Sequence, residues 1–124
     1  MKLLFAAFVT LFITGAGDPP AALLNRNWYF SYMRVGGQVQ EVPLKVPAAK
    51  RPWFYFGKDG SYKQSMDGVT DSGTWTYDSG SKRLNTSAQT KHGLEATVFL
   101  LERVTDDSLE LREPDGAILG MVRK

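Results

Sequence analysis

Few side chains in this 124-residue sequence combine into a pattern that supports catalysis. The single histidine, His92, stands in the polar stretch Lys91-His92-Gly93, where we expect a solvated turn residue rather than a catalytic base. The sequence has no cysteine, which excludes thiol nucleophiles, disulfides and cysteine-ligated metals. No serine lies in the Gly-x-Ser-x-Gly pattern of a nucleophile elbow. We therefore predict no catalytic residues, no enzymatic activity and no cofactor.

The acidic and basic residues argue against two further kinds of site, a metal site and a nucleic-acid surface. Asp106-Asp107 and the pair Asp67 and Asp71 fall in predicted turns, without the roughly six regularly spaced oxygen ligands of a calcium loop. We therefore predict no metal site. The 15 Lys and Arg against 13 Asp and Glu give a net charge of +2 without a basic block. Such a balance argues against a nucleic-acid surface.

The N-terminus has the pattern of a secretory signal peptide. Lys2 supplies a positive charge, residues 3–13 are apolar except for Thr10, and small residues follow before Asp18-Pro19-Pro20. The apolar stretch is shorter than the roughly 20 residues of a membrane-spanning helix, and a buried N-terminal core helix is the alternative. We expect residues 1–16 to be the signal peptide, with cleavage after Ala16, and residues 17–124 to form one domain. Without a lipoprotein cysteine or a transmembrane segment, the mature protein is predicted to be secreted or periplasmic.

The rest of the chain has the pattern of an all-β protein. β-branched and aromatic runs alternate with Gly, Asp, Asn and Ser turn signals such as Lys58-Asp59-Gly60 and Pro114-Asp115-Gly116. The predicted strands are residues 27–35, 38–46, 53–57, 61–66, 73–78, 82–87, 94–104, 108–112 and 117–123. Short connections between consecutive strands favour antiparallel neighbours and therefore a meander.

Closure of this meander into a barrel would remove its exposed edges. The run at 38–46 contains Pro43 and is followed by a loop at 47–52, so we interpret it as an irregular or edge strand. Eight strands remain, which predicts a small antiparallel up-and-down barrel. An immunoglobulin-like sandwich is the competing fold, but it needs longer crossing connections than these turns provide.

Alternation along the strands predicts which aromatic side chains point inward. In the first strand Trp28, Phe30 and Tyr32 share one face. The later inward positions also carry many aromatic residues, and buried tyrosine hydroxyls require hydrogen-bond partners. Packing against one another, interior water and a bound ligand all remain open as explanations of this composition.

Several segments resemble the bacterial lipocalin-like domain family. Phe56-Gly57-Lys58-Asp59-Gly60-Ser61-Tyr62 is similar to its Phe-x-x-Asp-Gly-x-Tyr hairpin, and Gly73-Thr74-Trp75 is similar to its Gly-x-Trp strand. Residues 99–111 resemble its closing strand pair. Residues 24–28 resemble its opening Leu-x-Gly-x-Trp segment, with Arg26 in place of the usual glycine. The resemblance implies a small extracytoplasmic barrel related in shape to carriers of small apolar molecules.

The resemblance also implies roles for individual residues. Trp28 would close one end of the barrel, with Arg112 or Arg123 lying across its ring. A small hydrophobic ligand is the implied partner, enclosed by a set of inward residues. That ligand-binding set is Tyr32, Phe56, Tyr62, Met66, Tyr77 and Phe99. The alternative is a filled barrel whose outer surface acts as a protein-interaction or inhibitor module at the cell envelope.

Overall fold

The computed structural model describes residues 18–41 and 50–123 of the chain. In this part a short 3-10 helix, Ala21–Leu23, precedes nine strands. The strands are β1 (Asn27–Val35), β2 (Gln38–Glu41), β3 (Trp53–Phe56), β4 (Ser61–Met66), β5 (Val69–Asp78), β6 (Arg83–Thr90), β7 (Gly93–Val104), β8 (Ser108–Arg112) and β9 (Ile118–Val122). The predicted signal peptide and residues 42–49 of the proline-containing stretch lie outside the described residues.

Antiparallel pairing of neighbouring strands closes the sheet into a barrel. The order is β1-β3-β4-β5-β6-β7-β8-β9, and β9 returns to pair with β1. Within residues 18–41 and 50–123, β2 pairs with β1 alone and stands at the edge of the sheet, outside the closed ring. The predictions of an all-β, eight-stranded up-and-down barrel and of an edge strand after β1 are therefore confirmed.

The turn at Asp67-Gly68 shows why one strand begins earlier than predicted. Both residues have positive φ, 52° at Asp67 and 80° at Gly68, as a two-residue type I′ hairpin requires. This turn joins β4 directly to β5, so Met66 pairs with Val69. β5 consequently begins at Val69, whereas the sequence prediction began at residue 73 and left 69–72 in a loop.

The N-terminal segment covers one end of the barrel, here named the closed end. Leu23, the last residue of the 3-10 helix, donates its backbone N–H to the carbonyl of Pro20 at 3.1 Å and is fully buried. Asn25 donates its backbone N–H to the carbonyl of Phe56 at 2.9 Å, and Trp75 Nε1 donates to the carbonyl of Gly57 at 2.8 Å. These bonds fix the N-terminal segment and the β3–β4 turn beneath the interior.

Aromatic side chains fill the closed half of the interior. The ring of Phe54 lies 5.3 Å from that of Phe30, 6.2 Å from Phe56, 6.0 Å from Tyr62 and 5.4 Å from Phe99, measured between centroids. These tilted and edge-on arrangements are favourable for aromatic pairs and add to the burial of apolar area. The core therefore consists of one contiguous cluster, centred on β3 and its neighbours.

A bulge in β1 overturns one predicted side-chain direction. In the β1–β9 ladder Phe30 pairs with Met121, but Tyr32 pairs with Gly120, so the register shifts by one residue at Ser31. An extra residue in one strand moves the following side chains to the opposite face. Phe30 and Met33 therefore pack against the core, whereas Tyr32 lies on the outer face; the prediction that Tyr32 points inward is wrong.

β5 and β6 approach each other closely at Gly73. A Cβ atom at Gly73 would lie 1.7 Å from the carbonyl oxygen of Ser87 and 2.7 Å from Cα of Ala88. Both atoms belong to the backbone of β6, so neither can move without distorting the ladder. Only glycine permits the two strands to approach this closely.

Candidate functional site

The predicted ligand-binding residues occupy three different environments. Phe56, Tyr62 and Phe99 are almost completely buried within the core. Met66 and Tyr77 are half-buried and pack against that core. Tyr32, the sixth member of the set, lies on the outside of the barrel, so the structure brings together only five of the six predicted residues.

Tyr32 forms part of an outer-surface cluster. Its ring covers Gly120, where a Cβ atom would approach the ring atoms to 2.1 Å. Its hydroxyl donates a hydrogen bond to the carboxylate of Glu110, which also lies 3.5 Å from the guanidinium of Arg34. Burial, and then the bond to Glu110, raise the pKa of Tyr32 above its usual range. These contacts give Tyr32 a structural role on the outer face.

Tyr62 begins a polar chain that runs from the core toward the opposite end of the barrel. Its hydroxyl donates to Oε1 of Gln64 at 2.9 Å, and Nε2 of Gln64 donates to Oδ2 of Asp71 at 3.4 Å. Burial raises the pKa of Tyr62 strongly, and the hydrogen bond with Thr86 opposes this shift. The hydroxyl of Tyr62 is thus satisfied by protein side chains, as a buried polar group requires.

These hydrogen bonds lead to a pocket at the other end of the barrel. This end, here named the open end, carries the β4–β5 and β6–β7 turns. The open-end pocket has a volume of about 290 Å³. Met66 and Val69 provide apolar contact on one side of it. Among the described residues, the lining is Gln64, Met66, Asp67, Val69, Asp71, Thr90, Lys91, His92 and Glu95.

Two carboxylates and a hydroxyl share the wall of this pocket. The β5–β6 ladder ends at the pair Ser72 and Gln89, next to Asp71 and Thr90, and Oγ1 of Thr90 lies 3.4 Å from Oε2 of Glu95 on β7. Asp67 adds a third carboxylate to this lining, which also contains the ammonium group of Lys91. Excess negative charge beside an apolar wall favours a small cation that also carries an apolar group.

Sequence reasoning missed most of this pocket. Met66 is the only member of the predicted ligand set in its lining. Glu95 lies two residues before Thr97 and four before Phe99, which both point inward. The alternation along the strand therefore predicts that the side chain of Glu95 points inward as well. The sequence pattern indicated no direction for the side chain of Asp71, because the Asp67-Gly68 turn was not recognised and the predicted strand began only at residue 73. His92 was interpreted as a solvated turn residue and lies at the rim of the pocket.

Trp28 closes the opposite end of the barrel, but the arginine across its ring differs from the predicted ones. The guanidinium carbon of Arg26 lies 5.9 Å from the ring centroid of Trp28. Arg112 instead donates to Glu102 at 2.7 Å, so its predicted contact with Trp28 is wrong. Arg26 also donates to the backbone carbonyl of Asp106 at 3.2 Å, which ties the β7–β8 turn to the closed end.

Metal-binding groups and membrane-spanning helices were sought in residues 18–41 and 50–123. No group of three or more His, Asp or Glu side chains in these ranges is arranged to hold a metal ion. No helix in them has the length and apolar character needed to cross a membrane.

Comparison with known proteins identifies the fold. A lipocalin-like protein from Bacteroides uniformis superposes with a TM-score of 0.59, over 84% of this chain and 99% of that one, at 18% sequence identity. The chain has the lipocalin-like fold. The resemblance inferred from the sequence motifs is thus confirmed at the level of the fold. No protein-family model matches the sequence, and no curated protein matches it either.

Proposed function

We propose that this lipocalin-like protein is a binding protein rather than an enzyme, and that its ligand occupies the open-end pocket. The ligand is a small molecule that combines a protonated amine with a short apolar group. The observation that carries the proposal is that Asp71, Glu95 and Thr90 line one pocket together with the apolar side chains of Met66 and Val69.

The size of the pocket supports a small ligand. Its volume of about 290 Å³ is near the lower limit of ordinary small-molecule sites, which begin at about 300 Å³. Phe56 and Phe99, which the sequence assigned to an apolar ligand, make ring contacts at 5.2–5.6 Å with Trp75, Tyr62 and Phe54. Packing of this kind favours a ligand held above the aromatic core rather than within it.

The carboxylates account for the proposed charge of the ligand. A protonated amine can donate hydrogen bonds to both Asp71 and Glu95, and bonds between charged partners are the stronger class. Its apolar group would contact Met66 and Val69. The Gln64 amide, held by Tyr62 on one side and Asp71 on the other, fixes the orientation of the Asp71 carboxylate.

We also propose that the protein acts outside the cytoplasm. This part of the proposal depends on the charge, apolar length and small residues of the N-terminal segment. N-terminal sequencing of the protein recovered from cell fractions tests it. A mature chain that starts near residue 17 in the extracytoplasmic fraction is expected, and an uncleaved chain in the cytoplasmic fraction would contradict it.

Calorimetric titration with matched ligands tests the binding proposal. We expect a primary alkylamine to bind and the alcohol of the same length to bind at least about tenfold more weakly, because a charge-assisted bond contributes about 1.5–3 kcal/mol. Asp71→Asn and Glu95→Gln should each weaken amine binding by about tenfold or more. Glu41→Gln, which removes an exposed carboxylate on β2, is the matched control and should bind as the wild type does.

Native mass spectrometry provides an independent test. Protein purified under mild conditions should carry a small adduct that acid or solvent releases, and the released molecule should be a cation. Equal affinity for the amine and the alcohol, or amine binding that survives in the Asp71→Asn/Glu95→Gln double variant, would contradict the proposal.

A further inference from the structure

A second cavity lies at the closed end of the barrel, between the N-terminal segment and the β3–β4 turn. Its volume is about 670 Å³, which is within the range of ordinary small-molecule sites. This cavity, here named the closed-end cavity, shares no lining residue with the open-end pocket. The described residues that line it are Asp18, Pro19, Ala21, Leu24, Asn25, Arg26 and Lys58.

Hydrogen bonds hold Asn25 in a fixed orientation in this wall. Its backbone has a positive φ of 60°, and its N–H donates to the carbonyl of Phe56 at 2.9 Å. Its side-chain Oδ1 accepts from the backbone N–H of Lys58 at 3.0 Å and from the hydroxyl of Tyr55 at 3.4 Å. Both donors engage the oxygen, and the Nδ2 group has no acceptor within residues 18–41 and 50–123. Asn25 therefore offers the cavity an oriented amide donor that no described protein group uses.

Two cationic side chains belong to the same wall. The guanidinium of Arg26 is held by its bond to the carbonyl of Asp106 at 3.2 Å and by the ring of Trp28. One N–H is engaged in this way, and a guanidinium carries five. Lys58 is exposed and its backbone is fixed by Asn25. Neither cation forms an ion pair with a carboxylate of the described residues.

The charge of the lining indicates the charge of its ligand. Arg26 and Lys58 supply two positive charges and Asp18 supplies one negative charge, so a single further negative charge neutralises the lining. A guanidinium presents paired N–H groups, which match the two oxygens of a carboxylate. A phosphate monoester carries about 1.5–2 negative charges at pH 7 and would be repelled by Asp18. The lining therefore favours a monoanion.

We propose that the closed-end cavity binds a small carboxylic acid in its ionised form. The carboxylate accepts hydrogen bonds from the side chains of Asn25, Arg26 and Lys58. The apolar part of the acid lies against Pro19 and Leu24. This ligand is opposite in charge to the amine proposed for the open-end pocket, so the two sites do not compete and neither proposal depends on the other.

Calorimetric titration with hexanoate, and with hexanol as the neutral molecule of the same length, tests the proposal. We expect hexanoate to bind at one site and hexanol to bind at least about tenfold more weakly, because hydrogen bonds to a charged group are the stronger class. Lys58→Gln removes an exposed cation and should weaken hexanoate binding by about threefold or more. Lys82→Gln removes an equal charge from the β5–β6 turn at the same end, outside the lining, and is the matched control. It should bind as the wild type does.

Two nearly isosteric substitutions should change the affinity in opposite directions. Asn25→Asp keeps the oxygen that accepts from Lys58 and Tyr55 but replaces the Nδ2 donor with a negative oxygen. It should weaken hexanoate binding by about tenfold or more. Asp18→Asn removes the repelling carboxylate and should strengthen binding by about threefold. A purely structural role of these residues predicts no such gain, and circular dichroism spectra of both variants should match that of the wild type.

Four outcomes would overturn the proposal. The first is hexanoate that shows no saturable binding up to about 10 mM. The second is equal affinity for hexanoate and hexanol, or equal losses in Lys58→Gln and Lys82→Gln. The third is hexanoate binding that disappears in the Asp71→Asn/Glu95→Gln double variant, because the ligand would then occupy the open-end pocket. The fourth is hexyl phosphate that binds more tightly than hexanoate, which would contradict the preference for a monoanion.

Discussion

The indole Nε1 of Trp28 donates a hydrogen bond to the carbonyl oxygen of Leu23 at 3.0 Å, and both side chains are fully buried. This bond joins the first barrel strand to the segment that covers the closed end. It satisfies one polar atom on each side, which would otherwise be buried without a partner. The closed end is therefore held by a specific contact as well as by apolar packing.

Replacement of Trp28 should destabilise the whole barrel. We expect Trp28→Ala to reduce the free energy of unfolding by about 3–5 kcal/mol, because it leaves a large cavity at the closed end. Trp28→Phe keeps most of the ring and should cost less, mainly through the unpaired Leu23 carbonyl. Trp53→Ala, on the outer face, is the control and should cost less than Trp28→Ala. Urea unfolding measures all three, and an unchanged stability of Trp28→Ala would contradict this account of the closed end.

The outward position of Tyr32 predicts a coupling with Gly120. Gly120→Ala should cost about 1–3 kcal/mol, because the new methyl group occupies the space of the Tyr32 ring. The same substitution in a Tyr32→Ala background should cost much less, since the ring is gone. A double-mutant cycle from urea unfolding gives this coupling energy. Additive effects of the two substitutions would show that Tyr32 does not cover Gly120.

The close approach of β5 and β6 predicts that Gly73 cannot be replaced. We expect Gly73→Ala to unfold the protein or to reduce its stability by more than about 3 kcal/mol, because the methyl group would overlap the Ser87 carbonyl. Gly80→Ala is the matched control, since its nearest neighbour would lie at an ordinary 3.5 Å. Thermal unfolding of the two variants checks the prediction, and similar melting temperatures would contradict it.

Burial of the Tyr62 hydroxyl predicts a loss of stability in alkaline solution. An unfolded tyrosine loses its proton near pH 10, whereas the raised pKa of Tyr62 keeps the folded state protonated there. The folded state then binds more protons than the unfolded state, so stability falls as the pH rises above about 10. The contribution of Tyr62 is complete below that pH.

Tyr62→Phe isolates this effect. The variant should be less stable near neutral pH by about 0.5–1.5 kcal/mol, through the lost bond to Gln64. Between pH 9 and 11.5 its stability should fall less steeply than that of the wild type, by up to about 1.4 kcal/mol per pH unit. Urea unfolding at several pH values measures both slopes, and identical slopes would show that Tyr62 is not buried as described.

Much of the fold follows from local sequence signals. The predicted bounds of β1, β4 and β8 agree with the structure, because each of these runs lies between segments rich in turn-forming Gly, Asp, Asn or Pro residues. Residues 38–41 of the run after β1 are confirmed as an edge strand, and the rest of that run, with Pro43, lies outside the described residues. The closure of the barrel by pairing of β1 with β9 was also predicted, because a closed sheet has no exposed edges.

The candidate site was harder to predict, for two physical reasons. The bulge at Ser31 inverts the remainder of β1, and no residue type in that stretch indicates it; this alone moved Tyr32 from the interior to the outer face. The pocket residues Asp71 and Glu95 are charged at inward positions near a strand end, where solvent access removes the usual penalty for burial. The expectation that inward residues are apolar therefore led to Phe56 and Phe99 as predicted ligand-binding residues instead.

The central claim is that the ligand occupies the open-end pocket above a filled aromatic core. Two-dimensional NMR of the labelled protein, titrated with a primary alkylamine, tests this claim most directly. We predict saturable shift changes at Met66, Asp71, Thr90 and Glu95, with the ring resonances of Phe56 and Phe99 unchanged. Changes centred on Phe56 and Phe99, or no saturable change at the four pocket residues, would contradict the account.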